Sequence, residues 1–184
     1  QELRLRMELS LPSDMQMLLL SRPLMEQLER QTYEQFVEGN TTQIDTSTPE
    51  EMRWLVMFPK VAMNASKVVR AHFGAVASAP ASGMAWIDGN LAHLLERATA
   101  GLLREDPPFL VMTLRGRTYL RLQLADPDAA SLSTALGLFE AAVTQALHLA
   151  AEHAESTGSA WPSEASTAWQ SLSPIEPVDP GKKP

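Results

Sequence analysis

The sequence has no cysteine, which excludes a disulfide framework, a thiolate nucleophile, a zinc ribbon and a cysteine-ligated iron–sulfur cluster. No apolar run approaches the roughly 18–20 residues that span a bilayer. Positive charge is in deficit: 15 Lys and Arg stand against 22 Asp and Glu, a formal net charge of −7. That balance argues against a nucleic-acid or anionic-membrane binder, since both use a basic footprint. The motifs HExxH, GxSxG, SxxK and GxGxxG are all missing, and with them the helical zinc pair, the nucleophile elbow and the dinucleotide loop. Histidine is sparse. His148 and His153 lie five apart, about 140° round an ideal helix, and so cannot form an i, i+4 ligand pair. No metal and no cofactor is expected.

What remains is ordinary globular composition, 45% hydrophobic over 184 residues, a length that suits a single domain. Glu2–Leu11 is the clearest strand. Leu3, Leu5, Met7, Leu9 and Leu11 alternate with polar residues, and period two means one buried face and one wet one. Met15–Leu20 fits a helical turn or a second strand. Arg22-Pro23 opens a helix through Leu24, Met25, Leu28, Thr32 and Phe36, stopped by Gly39-Asn40. Thr48-Pro49-Glu50-Glu51 reads as a capping box before a helix, Met52–Phe58, buried around most of its circumference. Pro59 should kink or divide that helix, and its continuation ends at Phe73-Gly74. Ala75–Gly83, small throughout, reads as a linker dividing the core into two halves.

The second half holds a helix with Leu91, Leu94, Leu95, Ala98, Leu102 and Leu103 along one stripe, capped by Asp88. A buried strand at Phe109–Leu114, a turn at Arg115-Gly116 and an alternating strand through Leu124 make a hairpin. After Asp126-Pro127, a last helix presents Leu132, Leu136, Phe139, Val143, Leu147 and Ala150 on one face to about Glu155. The expected fold is α+β: a small antiparallel sheet, made of the N-terminal strand and the hairpin, packed against several amphipathic helices. The domain covers residues 1–155. Residues 156–184, with five prolines and several serines, form an extended or disordered tail.

Candidate functional residues are few. The acidic pairs Glu50-Glu51 and Glu105-Asp106 fall at helix boundaries, where capping and termination account for them. Arg115 and Arg117 flank Gly116 at the hairpin tip and could form a patch for an acidic partner; the alternative is a charged hairpin that resists edge aggregation. Trp161 and Trp169, with Leu172 and Ile175 beyond, are large apolar groups in a polar segment that builds no core of its own. Such anchors suit docking, either to a partner or back onto the same domain.

From Phe109 to Glu155, the hairpin, the Asp-Pro and the long amphipathic helix resemble the closing part of type III secretion chaperones, which are small, acidic α/β dimers. The likeness covers about a quarter of the chain, and the first hundred residues follow a different order. The leading expectation is a non-enzymatic protein-interaction module: an assembly subunit, adaptor or chaperone-like partner of another protein, or a homo-oligomer. The alternative is an enzyme or small-ligand sensor whose site is assembled from scattered residues between the two helical halves. Compartment stays open between the cytoplasm and, if Gln1 is a mature N-terminus, export.

Overall fold

The computed structural model describes residues 1–38 and 48–159. In chain order the elements are β1 (Glu2–Glu8), β2 (Met17–Ser21), α1 (Arg22–Glu38), α2 (Glu50–Met57), α3 (Lys67–His72), β3 (Phe73–Ala77), α4 (Pro80–Trp86), α5 (Gly89–Thr99), β4 (Phe109–Leu114), β5 (Arg117–Gln123) and α6 (Ala129–Ser159). The five strands form one sheet in the order β1-β5-β4-β2-β3, and every pairing in it is antiparallel. The fold class is α+β, as its alternating and stripe patterns imply.

The predicted partnership of the N-terminal strand with the hairpin is present: Leu3 lies opposite Leu122 and Leu5 opposite Leu120. At the hairpin tip, Arg115 and Gly116 both adopt positive φ, 50° and 74°, the two-residue geometry whose twist matches the flanking strands. The sheet is larger than expected because β2 and β3 join it. Met17–Ser21, open between helix and strand from sequence, is a strand buried at every position. It lies between β4 and β3 with helices over both faces, so neither parity of its side chains meets water and no alternation is visible.

Two apolar layers sandwich the sheet. On one face Leu19, Val111 and Leu120 pack with Trp86, Leu91, Leu95, Leu138 and Phe139 from α4, α5 and α6. The Trp86 indole donates to the Ala142 carbonyl at 2.9 Å, locking α4 to α6. On the other face Leu18, Leu20, Leu110 and Met112 meet Met25, Trp54 and Leu55 from α1 and α2.

Four expectations are corrected. Ala75–Gly83 is no linker between halves; it supplies most of buried β3 and the start of α4. At Gly83 neighbouring side chains leave no room for a larger residue: a Cβ there would lie 2.7 Å from Val61 Cγ2 and 2.8 Å from the Ala77 Cβ. The capping box is not made either. Pro49 takes the cap position of α2 without a side-chain bond, and both glutamates turn to arginines instead, Glu50 to Arg53 and Arg115 and Glu51 to Arg121. Nor is α2 buried around most of its circumference: Met52, Trp54 and Leu55 are buried, whereas Val56 and Met57 are exposed. Finally, α6 continues past Glu155 to Ser159, so the first four residues assigned to the tail are helical.

Candidate partner-binding surface

The two edges of the sheet are finished differently. Along β3, the segment after Pro59 lies alongside: Val61 N–H donates to Ala75 O at 2.9 Å and Ala77 N–H to Pro59 O at 3.3 Å. Along β1, no strand or bridge pairs with the outer side among the described residues. Register determines which groups are left there. Gln1 and Leu124 exchange both backbone bonds, each 2.8 Å, and Leu9 N–H donates to Gly116 O at 2.7 Å. Hydrogen-bonded pairs alternate in an antiparallel ladder, so Leu3, Leu5 and Met7 bond inward to β5. Glu2, Arg4, Arg6 and Glu8 aim their N–H and C=O groups outward. Period two gives these residues the free backbone and the charged side chains together.

Those side chains lie on the sheet face that carries α1 and α2. Arg4 sits directly across from Arg121, an arrangement that would repel but for Glu2. One Glu2 oxygen meets Arg4 at 2.5 Å and the other meets Arg121 at 2.8 Å. Arg4 first and Arg121 second hold the Glu2 carboxyl well below the ordinary range, at about 2. Arg121 also reaches Glu51 at 3.5 Å. At the tip, Arg117 pairs with Glu8 at 2.9 Å and Arg115 with Glu50 at 3.2 Å, while Glu50 holds Arg53 at 2.6 Å. Arg6 is exposed and has no ion pair among the described residues. Arg4, Arg6, Arg53, Arg115, Arg117 and Arg121 thus outnumber Glu2, Glu8, Glu50 and Glu51 by two, on a chain of net charge −7. Most of these pairs are solvated and individually weak; their sum makes this face locally cationic.

The opposite side of β1 is apolar. Leu3, Leu5 and Leu9 are half-buried against the α6 layer, and Met7 is 46% exposed. On α6 the predicted stripe splits. Phe139 and Val143 are buried with Ala135, Leu138, Ala142 and Ala146, whereas Leu132, Leu136 and Leu147 are 37, 54 and 43% exposed. At 3.6 residues per turn those three leucines fall within about 60° of one another, roughly a quarter turn from the centre of the buried face.

Two other features bear on chemistry. A cleft of about 580 Å³ lies where the α5–β4 connection, the end of β5 and the start of α6 meet, lined by Leu102, Arg104, Glu105, Gln123, Asp126 and Thr134 among others. Its charged groups carry both signs. Asp128 caps α6 nearby, accepting from Ser131 N–H at 2.6 Å, and bonds from the Ser131 hydroxyl and amide lower its carboxyl below the usual range. Among the described residues no group of three or more His, Asp or Glu could hold a metal ion.

Of the candidate residues taken from sequence, Arg115 and Arg117 stand at the hairpin tip on the cationic face. Trp161, Trp169, Leu172 and Ile175 lie outside the described residues. Sequence reading missed Arg4, Arg6 and the outward backbone of β1, because alternation identifies a strand but not whether its edge is paired. It also put Leu132, Leu136 and Leu147 on one helix face with Phe139 and Val143, of which only the latter two are buried. Comparison of the chain with family models, curated proteins and solved structures finds no match. No helix among the described residues is long and apolar enough to cross a membrane.

Proposed function

We propose that this chain is a non-enzymatic protein-interaction module, an assembly subunit or adaptor that takes an extended segment of another protein onto β1. The observation that carries the reading is the open edge: four successive outward backbone positions, Glu2, Arg4, Arg6 and Glu8, on a strand whose inward bonds are already satisfied. A strand added there would gain main-chain hydrogen bonds for affinity and side-chain contacts on alternate residues for specificity. The excess of arginine on the adjoining face favours a segment with acidic residues at the positions that reach Arg6 and the hairpin tip. An apolar residue of opposite parity would meet Met7. Charged residues also guard edges against unwanted pairing, so an uncharged or basic strand is disfavoured at the same site.

Arg6→Pro tests this reading with little collateral damage. The Arg6 N–H faces outward, so proline removes a donor from the open edge while the bonds to β5 remain; edge strands tolerate proline in that setting. Affinity purification from the native source is expected to recover a protein partner with the parent chain and to lose it with Arg6→Pro, at unchanged thermal stability. Equal recovery by both chains would remove β1 from the binding site.

A further inference from the structure

The open β1 edge proposed above as a docking strand, on which the following inference also rests, is complementary to itself. Two copies of one strand pair antiparallel about a two-fold axis. Outward backbone groups must meet outward groups, so the residue on the axis sets the register. An axis at Leu5 opposes Glu2 to Glu8 and Arg4 to Arg6, and an axis at Glu2, Arg4, Arg6 or Glu8 sets that charge against its own copy. Like charges directly opposite are destabilising. An axis at Leu3 pairs Glu2 with Arg4, which already bond each other within one copy, and leaves Arg6 and Met7 uncovered. An axis at Met7 opposes Arg6 to Glu8 twice, Arg4 to Ser10 and Leu5 to Leu9. It uses Arg6, which has no ion pair among the described residues, and Glu8, which among them meets Arg117 through Oε1 only. Met7, 46% exposed, is then covered by its own copy. The exposed flank of α6 lies on the same side of the molecule. Helix α4 lies over β2 and β3, and α6 over β4 and β5. Gln145 of α6 reaches α4, donating to Ala85 O at 3.0 Å. Leu132, Leu136 and Leu147 stand about 140–180° round the helix from Gln145, so they look away from α4, toward β1.

We propose that two copies of this chain associate by antiparallel pairing of β1 about a two-fold axis at Met7, joining their five-stranded sheets into one and bringing both α6 flanks to the seam. Main-chain bonds at Arg6 and Glu8 hold the seam, and the reciprocal Arg6–Glu8 pairs fix its register. On the other face Leu5, Met7 and Leu9 of the two copies make one apolar row beside the exposed leucines of α6. The second copy and a partner strand need the same backbone groups, so the dimer controls access to the edge. A partner with an acidic residue opposite Arg6 must displace the second copy before it docks.

Reciprocal charge reversal tests the pairing. Sedimentation of the full chain is expected to show a dimer. Arg6→Glu and Glu8→Arg each set like charges opposite one another and should weaken self-association by about tenfold or more. Mixing the two variants restores opposite charges at both pairs and should give a heterodimer; the chain carrying both substitutions should again pair with itself. The absence of cysteine allows a separate reading of register. Met7→Cys puts two thiols on the axis, where residues opposite in a non-hydrogen-bonded pair have Cα atoms about 4.5 Å apart, within disulfide range. It should link under mild oxidation. Arg6→Cys, about 8 Å from its copy, and Leu5→Cys, about 14 Å, should not. A monomeric parent, a mixture of reversed variants that stays monomeric, or linking through Arg6→Cys or Leu5→Cys in place of Met7→Cys overturns the proposal. These measurements use no partner. A monomeric parent whose partner is still lost in Arg6→Pro overturns the dimer and leaves β1 docking standing; a Met7-linked dimer with equal partner recovery by parent and Arg6→Pro does the reverse.

Discussion

The imidazole Nδ1 of His72 lies 2.6 Å from Asp106 Oδ1, joining the last residue of α3 to the turn that leads into β4. Asp106 makes this contact from a left-handed backbone, φ 47°, a conformation that costs most L-residues roughly 1–2 kcal/mol and that Asp and Asn accept most readily. The pair is a clip between segments 34 residues apart. Asp106→Ala should lower stability by about 1–2 kcal/mol, combining backbone strain with the lost bond. Asp106→Asn, which keeps the left-handed preference, should cost less. Urea midpoints rank the two; an Ala variant as stable as the Asn variant would contradict the role of the backbone.

The split in α6 separates two substitutions that look alike in sequence. Phe139→Ala removes a ring that is 6% exposed and should cost about 3–5 kcal/mol. Leu136→Ala, three residues away but 54% exposed, should cost under about 1 kcal/mol. Chemical denaturation of both decides whether the helix is rotated as described.

Thr118 is fully buried, and its hydroxyl has no hydrogen-bond partner. An unsatisfied buried hydroxyl costs about 1–3 kcal/mol. Thr118→Val keeps the shape, replaces the hydroxyl by a methyl and keeps the branched β-carbon suited to a strand. The variant should therefore be more stable by about 1 kcal/mol. A lower midpoint would mean that the hydroxyl is satisfied in solution.

Acid should loosen β1. The Glu2 carboxyl is depressed from 4.5 to about 2 by Arg4 and Arg121. The unfolded chain therefore binds the proton more readily, and folding gains from the ionised form. That contribution is fully present above about 4.5 and is lost as pH falls through about 2. Because Glu2 is solvent-exposed, the effect is modest and screened by salt. In Glu2→Gln it is missing at every pH. Urea midpoints of parent and variant should differ at neutral pH and converge as the pH falls toward 2; a gap that stays constant would contradict the assignment.

Much of this molecule follows from local pattern. The alternation of Leu3, Leu5 and Met7 with charged neighbours makes β1 a half-wet strand whatever it pairs with. Arg115-Gly116 makes the hairpin, because two consecutive residues must accept positive φ and glycine does so at no steric cost. The stripes of α5 and α6 make helices. The patterns together set the α+β class, and composition sets the acidic net charge. These are properties of neighbouring residues, and a sequence displays them directly.

Other features depend on residues far apart in the chain, and only the tertiary structure decided them. Met17–Ser21 is a strand because β3 and β4 flank it and helices cover both of its faces. Gly83 must stay small because Val61 and Ala77 press against it, which a sequence shows only as a run without bulk. Leu136 and Phe139 differ by three positions yet end on opposite sides of the burial boundary, since the rotation of α6 is set by Trp86 and the sheet. The open edge of β1 is likewise invisible locally: it exists because β5 bonds one side and no described strand bonds the other. Period and propensity are short-range and readable, whereas burial and edge pairing are sums over the whole fold.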